Sequence, residues 1–232
     1  WVIREYESGL VVKRFGAPLP PGRLIAQQGE AGYQAGLLPP GWHFGLWGWK
    51  YRVQKVPMLT VRPEEIALVV AKDGEAIPSQ RILGQQVDCD DFQDASAFLA
   101  NGGEKGRQLA FLTAGTYRIN PALFQVITTD NADQFGMRAT ELTVYQVAPS
   151  KVGIVNVLDG RPIPSGDLAG PEVAGHDNFQ LGQAFIAAGG YRGLQEQVLL
   201  SGSWNLNPWF VQVEQVAMTE IPIGYVGVVV SY

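Results

Sequence analysis

The chain has 232 residues, a formal net charge of −5 and 46% hydrophobic residues, enough apolar mass for a core in one large domain or several small ones. Its acidic balance argues against a nucleic-acid binder, which needs a basic face, and no apolar run reaches the ~18 residues of a membrane-spanning helix. The single cysteine, Cys89, cannot close an internal disulfide, which fits a reducing cytoplasm.

Twenty-eight Gly and 15 Pro beside many Val and Ile predict short strands joined by turns. The first unit, 1–62, opens with "ESGLVVKRFG", an apolar strand ending at Phe15-Gly16. "PPGWHF" follows, and "YRVQKVPM" then alternates like a half-buried strand. Between them Trp42, Trp47 and Trp49 fall within eight residues, with Gly45 and Gly48 in the same loop. Such a group is either a packed loop or a half-wet contact, with a membrane interface or with another subunit; Trp1 fits the same belt. His43 is expected to pack beside Trp42 and Phe44.

The second unit, 63–148, starts with the β-branched run 66–72 and reaches Asp73-Gly74, a dipeptide that suits a tight hairpin turn. Pro78 belongs at a turn or strand edge. Asp91 is expected to cap a short helix whose face carries Phe92, Ala95 and Leu99, with Gly102-Gly103 ending it. A second helix is predicted over about 104–113. "GTYRINP" returns the chain to the sheet, and Asn120-Pro121 closes that phrase. An extra loop or helix at 131–138 delays the strand "LTVYQVAP".

The third unit, 149–221, repeats the second. Asp159, Pro164 and Gly170 lie 86 positions after Asp73, Pro78 and Gly84. After a one-residue insertion, Phe179, Phe185, Gly190 and Gly193 lie 87 after Phe92, Phe98, Gly103 and Gly106. Asn178 is the matching cap, Gly189-Gly190 the helix stop, and about 191–200 the second helix. The register runs through to "GSWNLNP", with Asn207-Pro208 on Asn120-Pro121. Agreement over so many Gly, Pro and Phe positions marks a true internal repeat. The first unit is a shorter copy, with 25 positions between Gly16 and Gly41 where the later copies take 41 and 42. Residues 222–232, "PIGYVGVVVSY", read as the first strand of a further unit, so the chain is expected to be a fragment of a longer protein. The repeated phrase marks where each helical excursion rejoins its sheet, and Tyr117 and Trp204 are expected to pack on that sheet.

Catalytic and metal-binding patterns do not assemble. Asp88, Asp90, Asp91 and Asp94 lack the spacing and turn glycine of a calcium loop. His43, His176 and Cys89 are too few and too scattered for zinc. "GGEKGRQ" places its Lys before the glycine, unlike a phosphate loop, and no nucleophile elbow is present. No enzyme and no cofactor are expected. The repeat-defining residues Asp73, Gly74, Phe92, Asn120, Pro121, Asp159, Gly160, Phe179, Asn207 and Pro208 are read as structural.

"ESGLVVKRFG", "LLPPGWHFGLW" and "YRVQKVPMLTV" together resemble the opening of the band 7 family, also called stomatin–prohibitin–flotillin. The matching positions are Gly9, Val11, Val12, Phe15, Gly16, Pro40, Gly41, His43 and Phe44. "PIGYVGVVVSY" resembles the same opening again. The inserts at 74–113 and 160–200 are not part of the family pattern, and its long C-terminal coiled coil is not in this chain. The tandem plan is also similar to that of the major vault proteins. The resemblance implies a flotillin-like or vault-like scaffold that assembles into rings or cages, usually on membranes.

The expected fold is α+β, mainly β: tandem small modules, two of them with a short helix-pair insert. The expected function is a non-catalytic scaffold whose partner is itself, side by side, with Trp47 the foremost contact residue and membrane lipid a second partner. It would lie in the cytoplasm or peripherally at the inner face of the cell membrane, with its client unspecified. The alternative is a binding module whose helical inserts present a ligand or partner surface.

Overall fold

The computed structural model describes residues 1–27 and 29–230. Its first unit contains β1 (Val2–Ile3), β2 (Glu7–Lys13), β3 (Ile25–Ala26), β4 (Gly32–Leu38), β5 (Gly41–Trp42), β6 (Tyr51–Pro57) and β7 (Leu59–Val61). The second contains β8 (Ala67–Ala71), β9 (Glu75–Ala76), helix α1 (Ala95–Ala100), β10 (Glu104–Leu112), β11 (Gly115–Tyr117) and β12 (Phe124–Ile127). Two 3-10 turns, Ala132–Phe135 and Ala139–Leu142, then lead to β13 (Tyr145–Val147). The third contains β14 (Lys151–Val157), β15 (Arg161–Pro162), helix α2 (Gly182–Ala187), β16 (Tyr191–Leu194), β17 (Gly202–Trp204) and β18 (Val211–Ala217). The chain is mainly β, as its Gly, Pro and β-branched content predicts.

Each unit builds a four-stranded sheet on one plan: β3-β4-β2-β6, then β9-β10-β8-β12, then β15-β16-β14-β18. The same register recurs, with Lys13 opposite Tyr51, Ala71 opposite Phe124 and Val157 opposite Val211. β8 is an unbroken apolar run because both of its faces are covered, Ala67, Val69 and Ala71 lying in one core and Leu68 and Val70 in another, whereas the edge strand β18 alternates. Phe92, Phe98 and Phe124 form the centre of the second core, and Phe179, Phe185 and Phe210 that of the third.

Each insert holds one six-residue helix rather than two. Segment 104–112 is strand β10, paired antiparallel with β8, and 191–194 is strand β16. Gly106 and Gly193 sit at φ +127° and +113°, a backbone that a right-handed helix cannot contain. The glycine stops do form: the Gly103 and Gly190 amides bond back to the Phe98 and Phe185 carbonyls, closing both helices as a left-handed glycine cap does.

The expected caps do not lie at Asp91 and Asn178. Asp94 caps α1 by accepting the Ala97 amide at 2.9 Å, and α2 has no side-chain cap. Asp91 and Asn178 instead lie in a left-handed bend. Asp90, Asp91 and Phe92 all have positive φ, as do Asp177, Asn178 and Phe179. Asp and Asn tolerate this region better than other non-glycine residues. The side chain before the second bend holds it. His176 Nδ1 accepts the Phe179 amide at 2.7 Å, and Cys89 stands three residues before Phe92 in the same place. A thiol and an imidazole thus fill the same place in two copies.

The further strand expected at the end does not form among the described residues. Residues 219–230 carry no strand and are exposed, because the run finds no partner ladder; Ser231 and Tyr232 lie outside the described residues.

Candidate functional site

The repeated residues do their work between units. Asp73-Gly74 is not a hairpin turn, since β9 runs parallel beside β10 and does not pair with β8. The buried Asp73 carboxylate reaches back into the first unit. Its Oδ2 accepts the Leu24 and Ile25 amides at 2.8 and 3.0 Å, while Oδ1 accepts the Gly74 amide at 2.9 Å. Asp159 does the same to the second unit, taking the Ile82 and Leu83 amides at 3.0 Å each.

The Asn-Pro asparagines form the other half of the latch. Asn120 Nδ2 donates to the Gln34 and Ala35 carbonyls at 3.1 and 2.7 Å. Asn207 Nδ2 donates to the Gln108 and Leu109 carbonyls at 3.2 and 2.9 Å. Each side-chain oxygen accepts a backbone amide two residues on, from Ala122 or Trp209, which fixes the amide orientation. Gln34 and Gln108 shape the receiving strand, each Nε2 bonding the carbonyls two and four residues before it.

The rest of the phrase bridges units as well. β11 pairs with β7, the strand leaving the first unit, and β17 pairs with β13, the strand leaving the second. Tyr117 and Trp204 are half-buried against the two cores and bond the Thr113 and Leu200 carbonyls. The cores themselves are shared across the boundaries. Ile25 and Ala35 of the first unit lie in the second core, and Leu83 and Leu109 of the second lie in the third. Helix α1 packs on β4 and α2 on β10, so the helical inserts are docking elements between units.

The first unit has no such insert, and both latch positions are changed. The Tyr51 amide bonds the Trp47 carbonyl as those of Phe124 and Val211 bond Asn120 and Asn207. Trp47 therefore occupies the asparagine position. Arg14 bonds Lys50 as Lys72 bonds Leu123 and Leu158 bonds Phe210, which puts Phe15 in the place of the aspartate. Phe15, Trp47 and Trp49 are 61%, 67% and 66% exposed, and the Phe15 and Trp49 rings lie 6.3 Å apart. Trp42 is also exposed and stacks with Phe44 at 6.4 Å. The three tryptophans do not form a packed loop. His43 does not join that stack; its Nε2 meets the Pro39 carbonyl at 2.7 Å, and Trp1 bonds the Leu46 carbonyl. In the sequence Phe15 reads as a strand end and a family match, which misses its correspondence to the aspartates, although aligning "RFG" with the two Asp-Gly turns already exposes the substitution.

A groove of about 500 Å³ lies between the 3-10 segment and the third unit, lined by Met137, Arg138, Glu141, Tyr145, Trp209 and Val213 among others. Its two charged groups, Arg138 and Glu141, are paired with each other at 2.9 Å. Arg107 stacks over Trp209, the guanidinium carbon 4.9 Å from the ring centroid. No group of three metal-ligating side chains occurs among the described residues, and none of their helices is long and apolar enough to cross a membrane.

The fold defines a tandem β array whose units interlock through an Asp and an Asn. The chain matches no family model, and no curated protein or solved structure matches it.

Proposed function

We propose that the chain is the strut of a non-catalytic scaffold of the band 7 type, which self-assembles side by side into a large homo-oligomeric ring or cage. The observation that carries this reading is the shared boundary. Each later unit completes its core with apolar side chains of the unit before it and holds that unit by Asp and Asn. An array coupled in this way resists bending between neighbours, as a shell wall requires. The sheet edges support lateral assembly. β6 and β18, seven residues each, border their sheets with one side unpaired among the described residues. Long open edges pair with other chains, and a repeated contact between identical subunits closes into a ring when its rotation permits.

Native mass measurement and electron microscopy of the chain at micromolar concentration test the reading. The expected result is a particle of many 25.2 kDa subunits. A single 25.2 kDa species under those conditions overturns it.

A further inference from the structure

The two internal boundaries define what a unit offers its successor, and the third unit still offers it. At each boundary the receiving unit supplies two backbone amides, Leu24 and Ile25 or Ile82 and Leu83, and two carbonyls, Gln34 and Ala35 or Gln108 and Leu109. The repeat register puts Leu168, Ala169, Gln195 and Glu196 in those places. The local backbone is kept. Gln195 Nε2 bonds the Tyr191 and Gly193 carbonyls at 2.7 and 2.8 Å, as Gln108 bonds those of Glu104 and Gly106. Gly170 bridges Gln195 as Gly84 bridges Gln108. Yet no hydrogen bond reaches the Leu168 and Ala169 amides or the Gln195 and Glu196 carbonyls among the described residues. Segment 218–220, which Pro63, Pro149 and Pro222 align with β7 and β13, has no ladder partner either. This end is the receiving half of the latch without its donor.

What it receives is not a further copy of the repeat. The second unit presents buried Leu83 and Leu109 to the third core, whereas the third presents half-buried Ala169 and exposed Glu196. At the second boundary Leu109 and Phe210 meet over Gly182, where a Cβ would come within 2.7 and 3.2 Å of their side chains. A carboxylate in the Leu109 place, set against an apolar residue in the Phe210 place, would lose its water and gain no partner. A cation in the Phe210 place answers it. The first unit has that cation, because Lys50 bonds Arg14 as Phe210 bonds Leu158. It cannot serve as it stands, since Phe15 has no acceptor for the two amides.

We propose that the outer end of the third unit is a docking surface for a partner module of different make from the repeat. That module offers a carboxylate to the Leu168 and Ala169 amides, a carboxamide to the Gln195 and Glu196 carbonyls, and a cation to the Glu196 side chain. The inference goes beyond the scaffold reading and does not require self-assembly.

The probe is the full chain with its own donor half restored, Phe15→Asp/Trp47→Asn. Both side chains are exposed, so circular dichroism should stay that of the wild type. The probe then carries the carboxylate, the carboxamide and Lys50 on one end. In isotope-labelled wild type alone, the Leu168 and Ala169 amides should exchange about a hundredfold faster than those of Ile82 and Leu83. Adding the unlabelled probe should slow them about tenfold or more, and adding unlabelled wild type should not. Glu196→Lys in the labelled chain should cancel that protection, and Lys50→Glu added to the probe should restore it. Protected Leu168 and Ala169 amides in wild type alone overturn the proposal, since those groups are then already met. So does a probe that leaves them unprotected. So does protection that Glu196→Lys fails to alter, which would make this end an ordinary receiver for the repeat. The readout is a pair of amides rather than a mass. A 25.2 kDa species whose amides respond keeps this inference and overturns the scaffold; a large particle whose amides ignore the probe does the reverse.

Discussion

Leu83 donates its backbone amide to the Asp159 carboxylate across a unit boundary, at 3.0 Å and 76 positions apart in the chain. Both groups are buried. The same carboxylate takes the Ile82 amide, so one side chain satisfies two donors of a foreign unit and the Gly160 amide of its own turn.

Asp159→Ala should therefore cost roughly 3 kcal/mol, since it removes a charged acceptor and strands a buried donor. The loss should be local. Amide exchange at Ile82 and Leu83 should accelerate more than exchange in β8. Uniform acceleration, or none, would show that the carboxylate merely fills space.

The two latch residues should not tolerate each other's chemistry. Asn207→Asp brings a carboxylate against the Gln108 and Leu109 carbonyls, which offer no proton. It should destabilise more than Asn207→Ala, which leaves the Gln108 and Leu109 carbonyls and the Trp209 amide unmet but buries no charge. Chemical denaturation of both variants at pH 7 decides the order. An Asp variant as stable as wild type would contradict the latch.

The repeat register was legible because glycine, proline and phenylalanine constrain the backbone and core at fixed places. The work of Asp73, Asp159, Asn120 and Asn207 was not. Asp-Gly and Asn-Pro each have a sufficient local explanation, and their partners lie between 48 and 99 positions away. The strand over 104–112 was hidden for a related reason: "EKGRQLAFL" has helix-forming composition, and pairing with β8 overrides it. The aromatic end was visible as tryptophans but not as a face, because its meaning depends on what the other copies place there.

Phe179 is fully buried between His176, Phe185 and the third core. Phe179→Ala should cost about 3–5 kcal/mol, and Phe92→Ala a similar amount in the second core. Thermal unfolding reads both. Unchanged midpoints would mean that the helical bends are ornaments on the sheets.

The left-handed bends need an acceptor at their start. His176→Ala should unsettle the bend by leaving the Phe179 amide buried and unpaired, whereas His176→Cys, the residue of the second unit, should retain more stability. In the wild type, burial pushes the Cys89 thiol up from its ordinary value of 9.0. A raised thiol favours folding fully below that value. Its contribution fades as pH rises past it toward the folded-state value, where the thiolate must form. Alkylation of Cys89 at pH 7–8 should accordingly be slow in the folded chain and fast in denaturant.

Leu109 gives the sharpest test of whether the units are separable. It belongs to β10 of the second unit, yet it is buried in the third core with Phe179, Phe185 and Phe210. Gly182 makes room for it, because a Cβ there would come within 2.7 Å of Leu109 Cδ1. Leu109→Ala should cost about 2–5 kcal/mol as a cavity in a close-packed core. If each unit held its own core, exchange would quicken around β10 and the second core. With a shared boundary, the amides of α2 and β18 should quicken most, in a unit whose sequence is untouched. Gly182→Ala crowds the same contact from the other side and should disturb the same amides. Exchange confined to the second unit in both variants would show the units to be independent, and the coupling that the strut requires would be lost.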